Sequence, residues 1–255
     1  MSRFDRFKKS SNPFLSDRKL ADATSQSTLD GEMITRADAA PMTVAGAVNK
    51  TLMLAGLMVL TSVYAYYKPG TLVGGGGASG GLILVLVISF RTHLSPTLAP
   101  VYALLEGLFV GSISAVYAAA FAGIVFQAIG LTMALLFMML FIYKAGLIKV
   151  NQKFRTGVMM ATGAIMLMYV LSFVLSMFGM NLPFLHEGGM IGIGISVVII
   201  GVASLNLLLD FDSFERGAQY RAPKYMEWFC AVGLLVTLVW LYLEILRLLS
   251  MLSSD

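Results

Sequence analysis

Seven long apolar runs, parted by short polar interruptions, fill the chain from residue 48 to residue 250. They lie at 48–67, 72–90, 97–118, 122–143, 156–178, 190–209 and 226–250. Each is close to the roughly 20 residues that a helix needs to cross the hydrocarbon of a bilayer. Within such a run only a helix satisfies every backbone N–H and C=O. The pattern therefore predicts an all-α integral membrane protein with seven transmembrane helices. It divides the chain into an N-terminal tail, 1–47, and a seven-helix transmembrane domain, 48–252. The tail mixes Ser, Thr, Asp and Lys with few large apolar residues, so it is expected to be mostly disordered or to lie on the membrane surface. The tripeptide Asn12–Phe14 within it reads as a turn, with a docking role as the less favoured alternative.

Charge sets the orientation. Of the 18 basic residues, 15 fall in the tail or in loops that alternate spans place on one side: Arg91, Lys144, Lys149, Lys153, Arg155, Arg216, Arg221, Lys224 and seven in the tail. Lys50 sits at the same edge, and only Lys68 and Arg247 lie on the other. Basic residues stay on the cytoplasmic side, so the N-terminus is expected inside and the C-terminus outside. The segment Tyr64, Tyr66, Tyr67 and Lys68 reads as an interfacial anchor. No apolar h-region accompanies the N-terminal basic residues, so a signal peptide is not expected.

Composition narrows the chemistry. Mean hydropathy is +0.81 and 13% of residues are charged. The net charge of +4 is spread where it meets anionic headgroups, and nucleic acid is not an expected partner. A single cysteine, Cys230, excludes an internal disulfide. His93 and His186, both in loops, make no credible metal cluster. No P-loop, HExxH or dinucleotide fingerprint appears in context, and neither an enzyme nor a bound cofactor is expected.

Small residues point to helix packing. Gly74–Gly77, Ala78, Ser79, Gly80 and Gly81 open the second run with little bulk, and Gly107 and Gly111 form a GxxxG pair. Gly77-Ala78-Ser79-Gly80 also spells the GxSG of rhomboid-type intramembrane proteases, but no span holds the histidine that would activate the serine. Gly189 to Gly194 likewise reads as a packing surface. The third and fourth runs should form a tight hairpin, and the loop carrying Asn181, Pro183, His186 and Glu187 should be polar and mobile. The 17 methionines read as gap-filling rather than metal binding.

Charges inside spans carry the functional signal, since each costs roughly 2.5–3.5 kcal/mol at the bilayer centre on insertion scales. Glu106 lies well into the third run with no basic neighbour in sequence. It is either a carboxyl hydrogen-bonded to a neighbouring helix or a cation or proton site. Asp210 follows a nearly unbroken apolar stretch at the end of the sixth run, and a functional role is favoured. Asp212 and Arg216, spaced i, i+4, read as an ordinary surface pair. Glu227 complements the dipole in the first turn of the last helix or serves as a gate partner for Asp210 and Arg91. Glu244 and Arg247, three apart, are expected to pair and snorkel outward.

Three stretches resemble the Bax inhibitor-1/YccA superfamily, and its bacterial Bax inhibitor-1-like branch in particular: Ser95–Gly107, Leu209–Asp212 and Ala222–Trp228, with Leu243–Leu249 at the end of the last run. The likeness covers residues 45 to 252 and excludes most of the tail. It implies six helices around a central seventh, placed in the bacterial inner membrane. It also implies a pH-sensitive calcium leak governed by two aspartates, on the sixth and seventh helices. Asp210 resembles the first. At the second the chain departs from the family: one register puts Thr237 there, a looser one Glu244. Glu244 would lie about 27 Å along the last helix from its start at Met226, so the Thr237 register is preferred. The expected function is a leak for calcium or other cations lined by Asp210 and Glu106, with Arg91 pairing one of them when closed and Asp210 as the candidate calcium ligand. The alternative is a non-conducting adaptor for a membrane protease or stress response, with the tail as its working part.

Overall fold

The backbone of the first helix turns inward at a threonine. Thr43 accepts a hydrogen bond from Gly46 N–H at 2.9 Å, the side-chain cap that starts a helix without an orphaned donor, and α1 then runs Val44–Tyr67. In the computed structural model, which describes residues 41–68, 70–178 and 189–254, six more helices follow. They are α2 Thr71–Phe90, α3 Ser95–Ala120, α4 Ile124–Lys144, α5 Gln152–Met177, α6 Met190–Gln219 and α7 Met226–Ser254. A 3₁₀ turn, Thr92–Leu94, joins α2 to α3. Gly123 takes φ +76° before α4, and Asn151 caps α5 by accepting from Phe154 N–H at 2.8 Å. Of the expected tail, 1–47, residues 1–40 lie outside the described residues, as do the loop residues Asn181, Pro183, His186 and Glu187, and its last residues from Val44 on already belong to α1.

Six of these helices are long and apolar enough to cross a membrane, and α2 carries an apolar stretch over Gly74–Phe90. The sixth helix departs most from the hydropathy reading. It does not end at residue 209 but continues to Gln219, because polar residues there keep their helical bonds after the apolar run has stopped. Asp210 therefore lies inside a helix rather than at its end.

Two stripes of small residues set the packing of α1, α2 and α3. A Cβ on Gly107 would overlap the Met58 carbonyl, and one on Gly111 the Ser62 carbonyl. Backbones of α1 and α3 thus touch directly, side by side and in the same direction. Gly77 meets the Leu105 carbonyl, where a Cβ would approach to 2.6 Å, and Gly74 meets Ser112, which sets α2 antiparallel to α3. The serine of the GxSG string, Ser79, donates to Gly75 O at 2.9 Å, an intrahelical bond that fits the packing reading.

α7 is the axis. Of its apolar window 67% is buried, against 11–39% for the other five candidate spans. It packs against α1, α3, α4 and α6. The arrangement is not an even ring of six: α2 rests chiefly on α3 and α5 on α6.

Candidate functional site

Asp210 belongs to the interior of the bundle. Its Oδ2 is buried and has no hydrogen-bond partner, and its side chain faces one stripe of α7. A Cβ on Gly233 would lie 3.8 Å from Asp210 Oδ1, and the Cys230 thiol and the Thr237 hydroxyl are both close enough to interact with the carboxylate. These residues recur at i, i+3 and i+7, one helix face. Thr237 Oγ1 also has a bond to Gly233 O at 3.3 Å, so its hydroxyl has two competing acceptors. The structure thus brings together Asp210 and Thr237, the pair that the preferred register of the second carboxylate position selected.

Glu106 stands elsewhere. It lies on α3 against α2, where a Cβ on Gly81 would approach its Oε2 to 2.5 Å, and among the described residues it has no cationic partner. Tyr102, buried one turn earlier, shares its face. Among the described residues no hydrogen bond links Glu106 to Asp210, which belong to different helices, α3 and α6. Arg91, the last-turn neighbour of α2, is exposed and pairs with no carboxylate among the described residues, so the expected closed pairing is not formed.

Three acidic residues keep the local relations that sequence spacing gave them, Glu227 in the first turn of the last helix and Asp212 and Glu244 beside Arg216 and Arg247, but have further partners that spacing did not reveal. Asp212 and Arg216 do not make an isolated surface pair: Arg216 Nε lies 2.6 Å and Arg155 Nη2 2.9 Å from the same Asp212 Oδ2. Asp212 is 9% exposed and ties the start of α5 to α6. Beside it Tyr143 donates to Glu215 at 2.8 Å and Arg216 donates to Val150 O at 3.2 Å, which fixes α4 and the connection to α5. Glu227, 2% exposed, faces neither Asp210 nor Arg91. Its Oε1 accepts from Thr43 N–H at 3.0 Å and from Thr43 Oγ1 at 3.2 Å, and Lys50 Nζ stands 3.9 Å from Oε2. Lys50 also lies over the Trp228 ring, 5.2 Å from its centroid.

Glu244 does pair with Arg247, at 3.5 Å, but it does not snorkel. It is 4% exposed and accepts from Tyr169 Oη at 2.7 Å and from Ser196 Oγ at 2.9 Å. Arg247 Nη1 also donates to Tyr169 Oη at 3.1 Å. The cluster joins α5, α6 and α7, away from Asp210. Sequence reasoning did not single out Tyr169, Ser196, Thr162 or Asn206. Each is a polar side chain within an otherwise apolar run, but hydroxyls and amides are common there as intrahelical donors.

Among the described residues no three His, Cys, Asp or Glu side chains gather to share a metal ion. Among the described residues Asp210 has the Thr237 hydroxyl and the Cys230 thiol near it and no carboxylate paired with it.

A family model described as Bax inhibitor 1 like matches residues 12–254. The chain belongs to the Bax inhibitor 1-like family. The match covers the whole bundle, and it reaches further back than the resemblance suggested: most of the tail falls within the Bax inhibitor 1-like region. No curated protein and no solved structure matches the chain. In this family member Asp210 is the carboxylate that leaves a buried oxygen, Oδ2, without a partner, and among the described residues Asp212, Glu215, Glu227 and Glu244 are engaged.

Proposed function

We propose that this protein is a bacterial inner-membrane leak for cations, calcium foremost, with passage past Asp210 and modulation by pH. The observation that carries the reading is the buried Asp210 Oδ2 without a partner. An unpaired polar atom in an apolar interior is costly, and Asp212, Glu227 and Glu244 are all relieved of that cost by bonds. A passing cation or proton relieves Asp210 in the same way, with the Thr237 hydroxyl as a neutral neighbour. Glu106, half-buried and without a cation, is a second acidic step on the α2–α3 side. The N-terminus is cytoplasmic under this reading. Lys50, Arg91, Lys144, Lys149, Lys153, Arg155, Arg216, Arg221 and Lys224 then face inward, with Lys68 and Arg247 outside.

Calcium entry into liposomes holding the purified protein tests this across pH 6–8. Wild type should exceed empty liposomes, and Asp210→Asn should lower the flux and flatten its pH dependence. Flux at the level of empty liposomes from folded, inserted protein would overturn the leak. It would favour the adaptor reading, which the extension of the family match to residue 12 supports. Deleting the tail separates the two, since an adaptor should fail without it and a leak should persist.

A further inference from the structure

α5 is joined to the bundle by a regular polar seam. Arg155, Val158, Thr162, Ile165, Tyr169 and Ser172 alternate at spacings of three and four, the heptad pattern by which two helices keep one seam in contact. Val158, Ile165 and Ser172 are the buried residues of this helix. The other three, seven apart, are all polar, and each bonds across to another helix. Arg155 Nη2 donates to Asp212 Oδ2 at 2.9 Å, Asn206 Nδ2 donates to Thr162 Oγ1 at 2.8 Å, and Tyr169 Oη donates to Glu244 Oε2 at 2.7 Å.

The rest of α5 is poorly covered. Only 11% of its apolar window is buried, the least of the candidate spans, and it packs chiefly on α6. Apolar side chains gain little by leaving lipid for a neighbouring helix, so docking in a membrane rests on close packing and interhelical hydrogen bonds. α5 lacks the glycine-mediated backbone contact that joins α1 to α3: Gly157 and Gly163 have nothing within 4 Å of a Cβ. Its polar seam is the principal directional attachment. The middle bond also has a position that matters. Asn206 precedes Asp210 by four residues, so both lie toward one side of α6, and Thr162 is bonded to Asn206 one turn from the residue whose buried Oδ2 has no partner.

We propose that α5 is a detachable helix, clasped to α6 and α7 through Arg155, Thr162 and Tyr169, and that its release uncovers the flank of Asp210 and regulates passage there. The regulatory half rests on the reading of Asp210 as the ion site; the motion does not. The charged groups at the clasps are Arg155, Asp212 and Arg216 at one end and Glu244 and Arg247 at the other, with an uncharged Asn–Thr pair between them.

The test reads motion and flux separately in the full chain. Spin labels go on Leu167→Cys of α5 and Leu52→Cys of α1, which are 70% and 66% exposed, with Cys230→Ala common to every arm. In nanodiscs the reference protein should give one label–label distance by pulsed paramagnetic resonance. Tyr169→Phe with Thr162→Val removes three interhelical bonds, each worth about a threefold shift in equilibrium. The docked-to-released ratio should fall about 20- to 30-fold, with a second distance appearing and flux rising. Adding Asp210→Asn should lower the flux and leave the distances as they are. A single unchanged distance in the folded double variant overturns the proposal. Release without a change in flux overturns its regulatory half, and absence of flux from every variant overturns the ion reading while the distances still decide the motion. Should the double variant not fold, Tyr169→Phe alone keeps the ring, loses two bonds, and should shift the ratio about tenfold; an unchanged single distance in that variant overturns the proposal equally.

Discussion

Asp210 on α6 faces Thr237 on α7 across the interior of the bundle, where the resemblance to relatives with two aspartates leads to a second carboxylate. Under the Thr237 register this chain departs from that pattern by one side chain, at a position next to Asp210. Thr237→Asp should convert a single carboxylate into a facing pair, and two close carboxylates cannot both ionise freely. Flux through the variant should vary more steeply between pH 6 and pH 8 than flux through wild type. Glu244→Asp, at the position the looser register selected, should leave that profile unchanged. Identical profiles for wild type and Thr237→Asp would argue that Asp210 and Thr237 do not share a site.

The helices were legible because hydropathy reports what the bilayer requires, a long run that hides its own backbone bonds. It does not report where a helix stops once it leaves the hydrocarbon, which is why α6 overruns its apolar segment to Gln219 and Asp210 lies inside the helix instead of at its end. The site was legible in part. A carboxylate in an apolar run is costly wherever it lies, so Asp210 and Glu244 stood out. Their partners did not, since Tyr169 is 75 residues from Glu244 and Arg155 is 57 from Asp212. Local spacing instead offered the i, i+3 and i, i+4 partners, which are real here but incomplete.

The glycines give three substitutions, two of one sign and one of the other. At Gly107 and Gly111 a Cβ would overlap carbonyl groups of α1, and backbone cannot step aside as a side chain can. Alanine at either position should destabilise the protein by about 1–3 kcal/mol. At Gly56, also on α1, a Cβ meets nothing within 4 Å, so alanine there should be neutral or stabilise by about 0.5–1 kcal/mol through its better helix propensity. Thermal unfolding in one detergent ranks the three. Equal melting temperatures for Gly56→Ala and Gly107→Ala would mean the α1–α3 contact is not close.

Glu244 offers a contrast between losing a charge and losing a network. Glu244→Gln keeps an acceptor for Tyr169 or Ser196, and should cost about 1 kcal/mol. Glu244→Ala strands Tyr169, Ser196 and the partly buried Arg247 together, and should cost about 3 kcal/mol, the low end for breaking a buried pair. Adding Arg247→Ala to Glu244→Ala should recover part of that loss, because it removes the stranded cation. If the double substitution were as unstable as the sum of the two singles, measured as shifts in unfolding midpoint, Glu244 and Arg247 would not be coupled.

Glu227 and Gly46 have mutually dependent positions. The carboxylate of Glu227 lies where a Cβ of residue 46 would be, and it takes both the backbone and side-chain donors of Thr43. It thereby ties the start of α7 to the start of α1, beside the Met42 N–H to Ala222 O bond of 2.8 Å. Gly46→Ala must push the carboxylate off Thr43, so it should resemble Glu227→Ala: each leaves donors unmet near the helix start, at about 1–3 kcal/mol. Combining the two should cost less than their sum, since alanine at 227 makes the room that alanine at 46 needs. Unfolding midpoints of the two singles and the double give the coupling directly. Additive losses would mean that Glu227 holds α1 by some route other than its seat on Gly46.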